Sequence, residues 1–308
     1  MKRSVVLLKL GGELLEHCDR MKAVGRLIAR AARDIRLVVV HGGGKEIDAA
    51  LAQASIPKHQ VDGLRITDEA TLHIVVSVLA GAINTRFVAA INAAGGKAVG
   101  LTGADAGVAP VKAAKPHRAT NGELIDLGLV GEPLPVPGVP LVDTLCGNGF
   151  VPVIACIGAS RDGQLFNVNA DTLAGSLATR VHASRLIVAG ATRGVLDDEG
   201  QTIDALDQHG VNDLINSGTA TAGMVAKLRA CRHALDGGVP DIAIADGREP
   251  ARLARLLAGT GPRKGAWTRF IDDRRPATGE ERRTRTKNQE RRRTKNQERS
   301  PEGWTRQQ

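Results

Sequence analysis

Two glycine-rich stretches and one lysine are the first residues in this chain that could do chemistry. The segment Leu37–Ala50, LVVVHGGGKEIDAA, runs four apolar, mostly β-branched residues into Gly42, Gly43 and Gly44 and then into a helix-forming stretch. Read as strand, tight loop and helix start, it lets the backbone approach a ligand closely. The free N–H groups of the first helical turn point outward with the positive end of the helix dipole, a geometry that binds anions. A packing turn in an α/β fold uses the same glycines. The second stretch, Val5–Glu13, ends another apolar run in Gly11 and Gly12 and puts Lys9 at the strand end. Two strands delivering glycines and an ammonium to one sheet edge suggest a polyanion site.

Familiar alternatives fail on spacing. No GxxxxGK[ST] occurs, and no strand is followed by GxGxxG. An HGGG loop can also form the oxyanion hole of an esterase, but that chemistry needs GxSxG, which is absent.

The elements that must hold these loops follow from the apolar pattern. Strands are expected at Ser4–Leu10, Arg36–Val40, around KAVGLTG, at Phe150–Ala155, Leu186–Ala189 and Asp241–Ala245. Helices are expected over Met21–Arg33, from the HGGG loop to Ala54, from a cap at Thr67 or Asp68 through Gly81, a further one to Ala94, and over Pro140–Gly147, after Asn169, through Lys227 and over Pro250–Leu257. Alternation of strand and helix, with near-continuous apolar strands, predicts an α/β fold. The Gly- and Pro-rich residues 104 to 137 read as hairpins covering one sheet edge.

Composition narrows the function classes. At 308 residues the chain can bury a large core. With aromatics at 2% and no Tyr, it lacks the platforms of a stacking nucleic-acid binder. Cys18, Cys146, Cys156 and Cys231 form no CxxC and read as buried small hydrophobes. No signal peptide and no membrane-length apolar run are apparent in the sequence, so a cytoplasmic location is expected. Of the net charge of +9, residues 274–308 carry +7, from 12 Lys or Arg against 5 Asp or Glu. That tail repeats RTKNQER at 285–291 and 293–299 with no apolar residue, and is expected to be disordered. Without aromatic interleaving, the basic arm weighs little for RNA or membrane binding.

Five pieces occur together: KLGG at Lys9–Gly12, HGGG at His41–Gly44, GLRIT at Gly63–Thr67, NVNAD at Asn167–Asp171 and AGMVAK at Ala222–Lys227. In order and distance they resemble the amino-acid kinase family over roughly residues 4 to 258, and the chain is most similar to the branch that phosphorylates N-acetylglutamate. The resemblance implies a three-layer αβα sandwich around a mainly parallel sheet, usually a homodimer. It also implies ATP-dependent phosphorylation of the side-chain carboxylate of N-acetyl-L-glutamate to an acyl phosphate, the second step of arginine biosynthesis. The kinase domain would span 1–273, with about 1–160 holding the acceptor and about 161–273 the ATP.

By the same resemblance, Lys9 and Lys227 contact the migrating phosphoryl group, beside backbone N–H groups of Gly11, Gly12 and Gly44, and Asp171 orients both lysines. Arg65 would grip the acceptor's α-carboxylate, and Asn167 with the N–H groups around Gly43 and Gly44 its other polar atoms. Gly190, Ala191, Thr192, Arg193, Gly194 and Val195, with Thr219, Ala220, Thr221, Ala222, Gly223 and Met224, align with ATP-contacting loops. Mg²⁺ would come with the nucleotide and be held mainly by its phosphates, with no protein metal site.

The chemistry is consistent with those residue types. The attacking carboxylate, with a pKa of about 4.3, is already ionised, so no general base is needed and charge repulsion is the obstacle. Three departures stand out. Gly190 and Ala191 occupy the place where the family's nucleotide loop begins with Asp, and GTGPRKGAWTRFI is expected to replace the last strand. No helix precedes the first strand, so an arginine-insensitive dimer is expected, not an arginine-regulated hexamer. A kinase for carrier-linked aminoadipate or glutamate, and a catalytically weakened ligand-binding or RNA-associated relative, stay open as alternatives.

Overall fold

All six apolar runs read as strands enter one central sheet of a computed structural model that describes residues 4–218, 220–260 and 265–272. Its strands are β1 (Val5–Leu10), β2 (Arg36–His41), β3 (Ala98–Thr102), β4 (Val151–Ala155), β5 (Arg185–Gly190), β6 (Ala205–Leu206), β7 (Ile242–Asp246) and β8 (Trp267–Phe270). They lie in the order β6-β8-β7-β5-β1-β2-β4-β3. From β7 to β3 every pairing is parallel, while β8 runs antiparallel to β7. Near-continuous burial along β1, β2, β4 and β7 follows from helices covering both faces of a parallel sheet.

The helices are α1 (Cys18–Ala31), α2 (Gly44–Gln53), α3 (Glu69–Ala93), α4 (Pro140–Gly147), α5 (Ala170–Arg180), α6 (Gln208–Asn216), α7 (Ala222–Asp236) and α8 (Pro250–Ala258). α1 packs with α3 and α8, and α5 packs with α7, giving the helical layers of the αβα sandwich. Small antiparallel pairs fill the 104–137 region as expected: Val111–Ala113 with Gly131–Pro133, and His117–Arg118 with Leu124–Ile125. Buried Arg180 at the end of α5 ties that region down, donating to the carbonyls of Val108, Val136 and Gly138.

Four expectations are corrected. Residues 267–270 do form a last strand, because Trp267 and Phe270 are buried against β7 and Thr268 is fully buried. The two helices expected to part near Gly81 are one, α3, continued through a π-helical turn at Ser77–Ile83. Taken whole, α3 is long and apolar enough to cross a membrane by length and composition. Val75, Leu79, Ile83, Phe87 and Ile91 are nevertheless buried in the core, where a helix facing a sheet needs an apolar stripe. Cys18 is exposed, while the other three cysteines are buried. Helix α6, capped by the Asp207 side chain accepting from the Gly210 N–H, is not among the expected helices, although Val211, Leu214 and Ile215 follow that cap at helical spacing. The basic repeat tail lies outside the described residues.

Candidate active site

The parallel pairing of β1 with β2 sets Leu10 opposite His41, so both glycine loops leave the sheet at the same edge. They touch there. A Cβ on Gly12 would lie 2.8 Å from the Gly43 Cα and 3.0 Å from its N, so only glycine lets the two backbones meet. A Cβ on Gly43 would collide with Ile83 of the π-helical turn, which backs the loop from the other side. Gly44 then opens α2 with no atom within 4 Å of its Cβ position, leaving open space in front of the helix N-terminus.

His41, just before that loop, is fully buried and structural. Its Nε2 accepts from Asn84 Nδ2 at 3.2 Å and its Nδ1 donates to the Gly42 carbonyl at 3.2 Å. Burial pulls its pKa down to about 4, with the Gly42 carbonyl opposing. The folded protein therefore keeps His41 neutral while the unfolded chain takes up a proton below about 6.5. Stability is expected to fall by about 3 kcal/mol from this residue between pH 7 and pH 4. Urea titrations should show a flatter profile for His41→Gln over that range, and an equal slope in both proteins would contradict this.

Lys9 lies in the middle of the sheet between Val40 of β2 and Val188 of β5, and is almost completely buried. Its Nζ makes an ion pair of 2.8 Å with Asp171 Oδ1. Asp171 sits in the first turn of α5, where the side chain of the N-cap Asn169 accepts from the N–H groups of Asp171 (2.9 Å) and Thr172 (3.1 Å). Lys227, on α7, reaches the other carboxylate oxygen at 3.5 Å and donates to the Gly223 carbonyl at 3.3 Å. Burial alone would push the Asp171 carboxyl up, but the two ammonium groups outweigh it and hold it below the usual carboxylate range. Two lysines 218 positions apart in the sequence thus share one buried carboxylate, whose neighbour Ala170 lies 3.5 Å from a Cβ placed on Gly42.

Arg65 stands on the hairpin formed by Gln60–Val61 and Leu64–Arg65 and pairs through Nη2 with Asp48 of α2, one turn past Gly44. Its Nη1 is buried and has no hydrogen-bond partner among the described residues. Asn167 Nδ2 donates to Thr67 Oγ1 at 3.2 Å, which draws it to the segment carrying Arg65. Arg65 is thus tied to the helix that Gly44 opens, and Asn167 to the segment that carries Arg65.

The loop from Gly190 to Val195 leaves β5 beside that pair. A Cβ on Gly190 would lie 3.8 Å from Lys227 Cε, and Thr192 Oγ1 is buried with no partner among the described residues. Gly194 adopts φ 144, and Val195 N–H donates to Thr268 Oγ1 at 2.8 Å, so the unanticipated β8 pins this loop. Arg193 is exposed. Ala220 and Met224 pack on the core, and Thr221 occupies the N-cap position of α7 without a side-chain capping bond; Thr219 lies outside the described residues, as does the side chain of Ala222.

Two acidic residues here were missed from sequence. Glu13 folds its carboxylate over Gly11 and lies against Gly190. Asp246, at the end of β7, pairs in register with Gly190 and is gripped by Arg248 at 2.7 and 2.9 Å. It places a carboxylate beside the loop that begins without one. Glu13 directly after GG was visible in the sequence, whereas the register that sets Asp246 opposite Gly190 was not.

With this geometry in view, comparison with known proteins is informative. The model of the amino acid kinase family matches residues 4–246. The acetylglutamate kinase of Rhodopseudomonas palustris (strain BisA53) is 42% identical over 264 residues, 83% of this chain and 88% of the relative. That of Erythrobacter litoralis (strain HTCC2594) is 40% identical over 260 residues, 82% and 83% of the two chains. Among solved structures, N-acetylglutamate synthase from Neisseria gonorrhoeae complexed with coenzyme A and N-acetyl-glutamate superposes with a TM-score of 0.73 at 22% identity. The alignment covers 90% of this chain but only 61% of that synthase. Carbamate kinase from Giardia lamblia bound to AMP-PNP superposes with a TM-score of 0.61 at 14% identity, covering 88% of this chain and 99% of that one.

Proposed function

The chain belongs to the amino acid kinase family, and we propose that it transfers the γ-phosphoryl group of ATP to the side-chain carboxylate of N-acetyl-L-glutamate, the second step of arginine biosynthesis. The observation that carries the reading is the convergence of Lys9 and Lys227 on Asp171, together with the Gly12–Gly43 contact. A carboxylate oxygen attacks the γ-phosphorus, the bond to the β,γ-bridging oxygen breaks, and ADP leaves with that electron pair. No proton moves. The barrier is the meeting of two anions, and two ammonium groups with fixed backbone N–H donors lower it by neutralising the transferred group. Asp171 serves as the shared counter-ion that holds both lysines in place.

On the acceptor side, the unpartnered Nη1 of Arg65 suits a carboxylate, and Asn167 with the N–H groups near Gly43 and Gly44 suits its remaining polar atoms. ATP lies along Gly11, Gly12, the 190–195 loop and the start of α7, with residues up to about 160 serving the acceptor and later ones the nucleotide. Mg²⁺ brought in with the nucleotide would neutralise phosphate charge. Among the described residues no group of three or more His, Cys, Asp or Glu could hold it, and Asp171 is already committed to the lysines, so Glu13, beside Gly11 and Gly190, is the carboxylate that would reach it and the nucleotide would supply most of its ligands.

We also read the chain as a homodimer. Only 39% of the most apolar stretch of α3 is buried, and a cavity of about 460 Å³ lined by Ala80, Asn84, Val88, Leu101 and Thr102 opens between it and β3, at the end of the sheet. A partly exposed helix beside an edge strand favours association with a second copy.

Hydroxylamine trapping tests the reaction. ATP-dependent hydroxamate is expected with N-acetylglutamate; its formation only with carrier-linked aminoadipate or glutamate, or with neither acceptor, would refute the assignment.

A further inference from the structure

We infer that Asp48 is a positioning residue for the acceptor, a latch that holds the Arg65 guanidinium so that its second terminal nitrogen faces the cleft. The inference rests on the reading of Arg65 given above and adds how that side chain is aimed.

Asp48 lies on α2, the helix whose first residue, Gly44, forms the open anion-binding end. Both its carboxylate oxygens are used. One pairs with Arg65 Nη2, and the other accepts from Lys58 Nζ at 2.8 Å. Lys58 stands just before the hairpin's first strand and Arg65 ends its second, so one carboxylate fastens both roots of the hairpin to α2. The Arg65 side chain is 13% exposed, whereas Asp48 is 34% exposed, which places the anchor at the rim and the guanidinium inside. A planar fork held through one terminal nitrogen has its other nitrogen fixed in direction. That nitrogen, Nη1, is the buried atom without a partner among the described residues. A guanidinium pre-aimed in this way loses less freedom when it takes a carboxylate, so the latch acts on acceptor affinity and leaves the phosphoryl chemistry alone.

The test is steady-state kinetics on the full chain for Asp48→Asn, Arg65→Gln and the double variant, with melting temperatures measured alongside. Asp48→Asn should raise KM for N-acetylglutamate by about tenfold while kcat and KM for ATP stay within about twofold. Arg65→Gln should raise the same KM further, and the double variant should be no worse than Arg65→Gln, because a latch has nothing left to hold. If Arg65→Gln raises KM and Asp48→Asn does not, the latch is wrong and the acceptor reading stands. If Arg65→Gln leaves KM unchanged, the acceptor reading falls and takes the latch with it. Fully additive effects, or a loss in kcat and both KM values together, would overturn the latch as well.

Discussion

Lys9→Met should lower kcat by about a thousandfold while leaving KM for ATP within a few-fold, the signature of an interaction made chiefly in the transition state. A thousandfold loss corresponds to about 4 kcal/mol of barrier, which suits removal of a buried cation beside a migrating phosphoryl group. The environment explains the size. Lys9 is almost fully buried in the middle of the sheet, where water cannot take over its charge. Lys227, at 19% exposure and 3.5 Å from Asp171, should show a similar loss with less effect on folding. Single-turnover measurements at saturating substrates would separate chemistry from binding. A Lys9→Met enzyme within tenfold of the wild-type rate would remove the two-lysine mechanism.

Asp171→Asn should damage both rate and stability. The amide leaves two ammonium groups facing each other without a counter-ion, one of them buried, and breaking a buried ion pair from one side costs about 3–5 kcal/mol. The pH dependence has a definite sign. Because the two lysines, working against burial, depress the folded-state pKa, the stabilisation by Asp171 is present in full above the ordinary carboxylate value. It is lost as pH falls through that value toward the lower folded one. The variant should therefore show a shallower acid limb below about pH 4, with the shares of Asp48, Asp246 and the other stabilised carboxylates left, while keeping the His41-dependent decline between pH 6.5 and 4. Denaturant unfolding of both proteins across pH 2.5 to 7 would check this. Asp171→Asn matching wild type in stability at pH 7 would contradict the shared counter-ion.

Local sequence carried the strands and loops well. The runs at Val5–Leu10 and Arg36–His41 are apolar because a doubly covered parallel strand must be, and the glycines after each mark where backbones meet. Asp68 and Asn169 cap their helices through the side-chain chemistry their types announce. The same reasoning erred where two local signals conflicted. Gly81 reads as a break, yet the flanking apolar residues all find the core, and a π-helical turn keeps them in phase within one helix. The last strand was misjudged because GTGPRKG looks like loop, and only burial of Trp267, Thr268 and Phe270 beside β7 makes the next residues extended.

Residue types, their order and their spacing determined by themselves that this chain builds a mainly parallel αβα sheet with two glycine loops and a lysine at one sheet edge. Those properties depend on a few neighbouring residues. Only the tertiary structure decided that Lys9 and Lys227 share Asp171, that Asp48 holds Arg65, that Glu13 covers Gly11, and that Asp246 stands opposite Gly190. Each of these requires strand register and helix packing to bring distant side chains within a few ångströms. Register is set by the burial of the whole sheet, and no short stretch of sequence contains it.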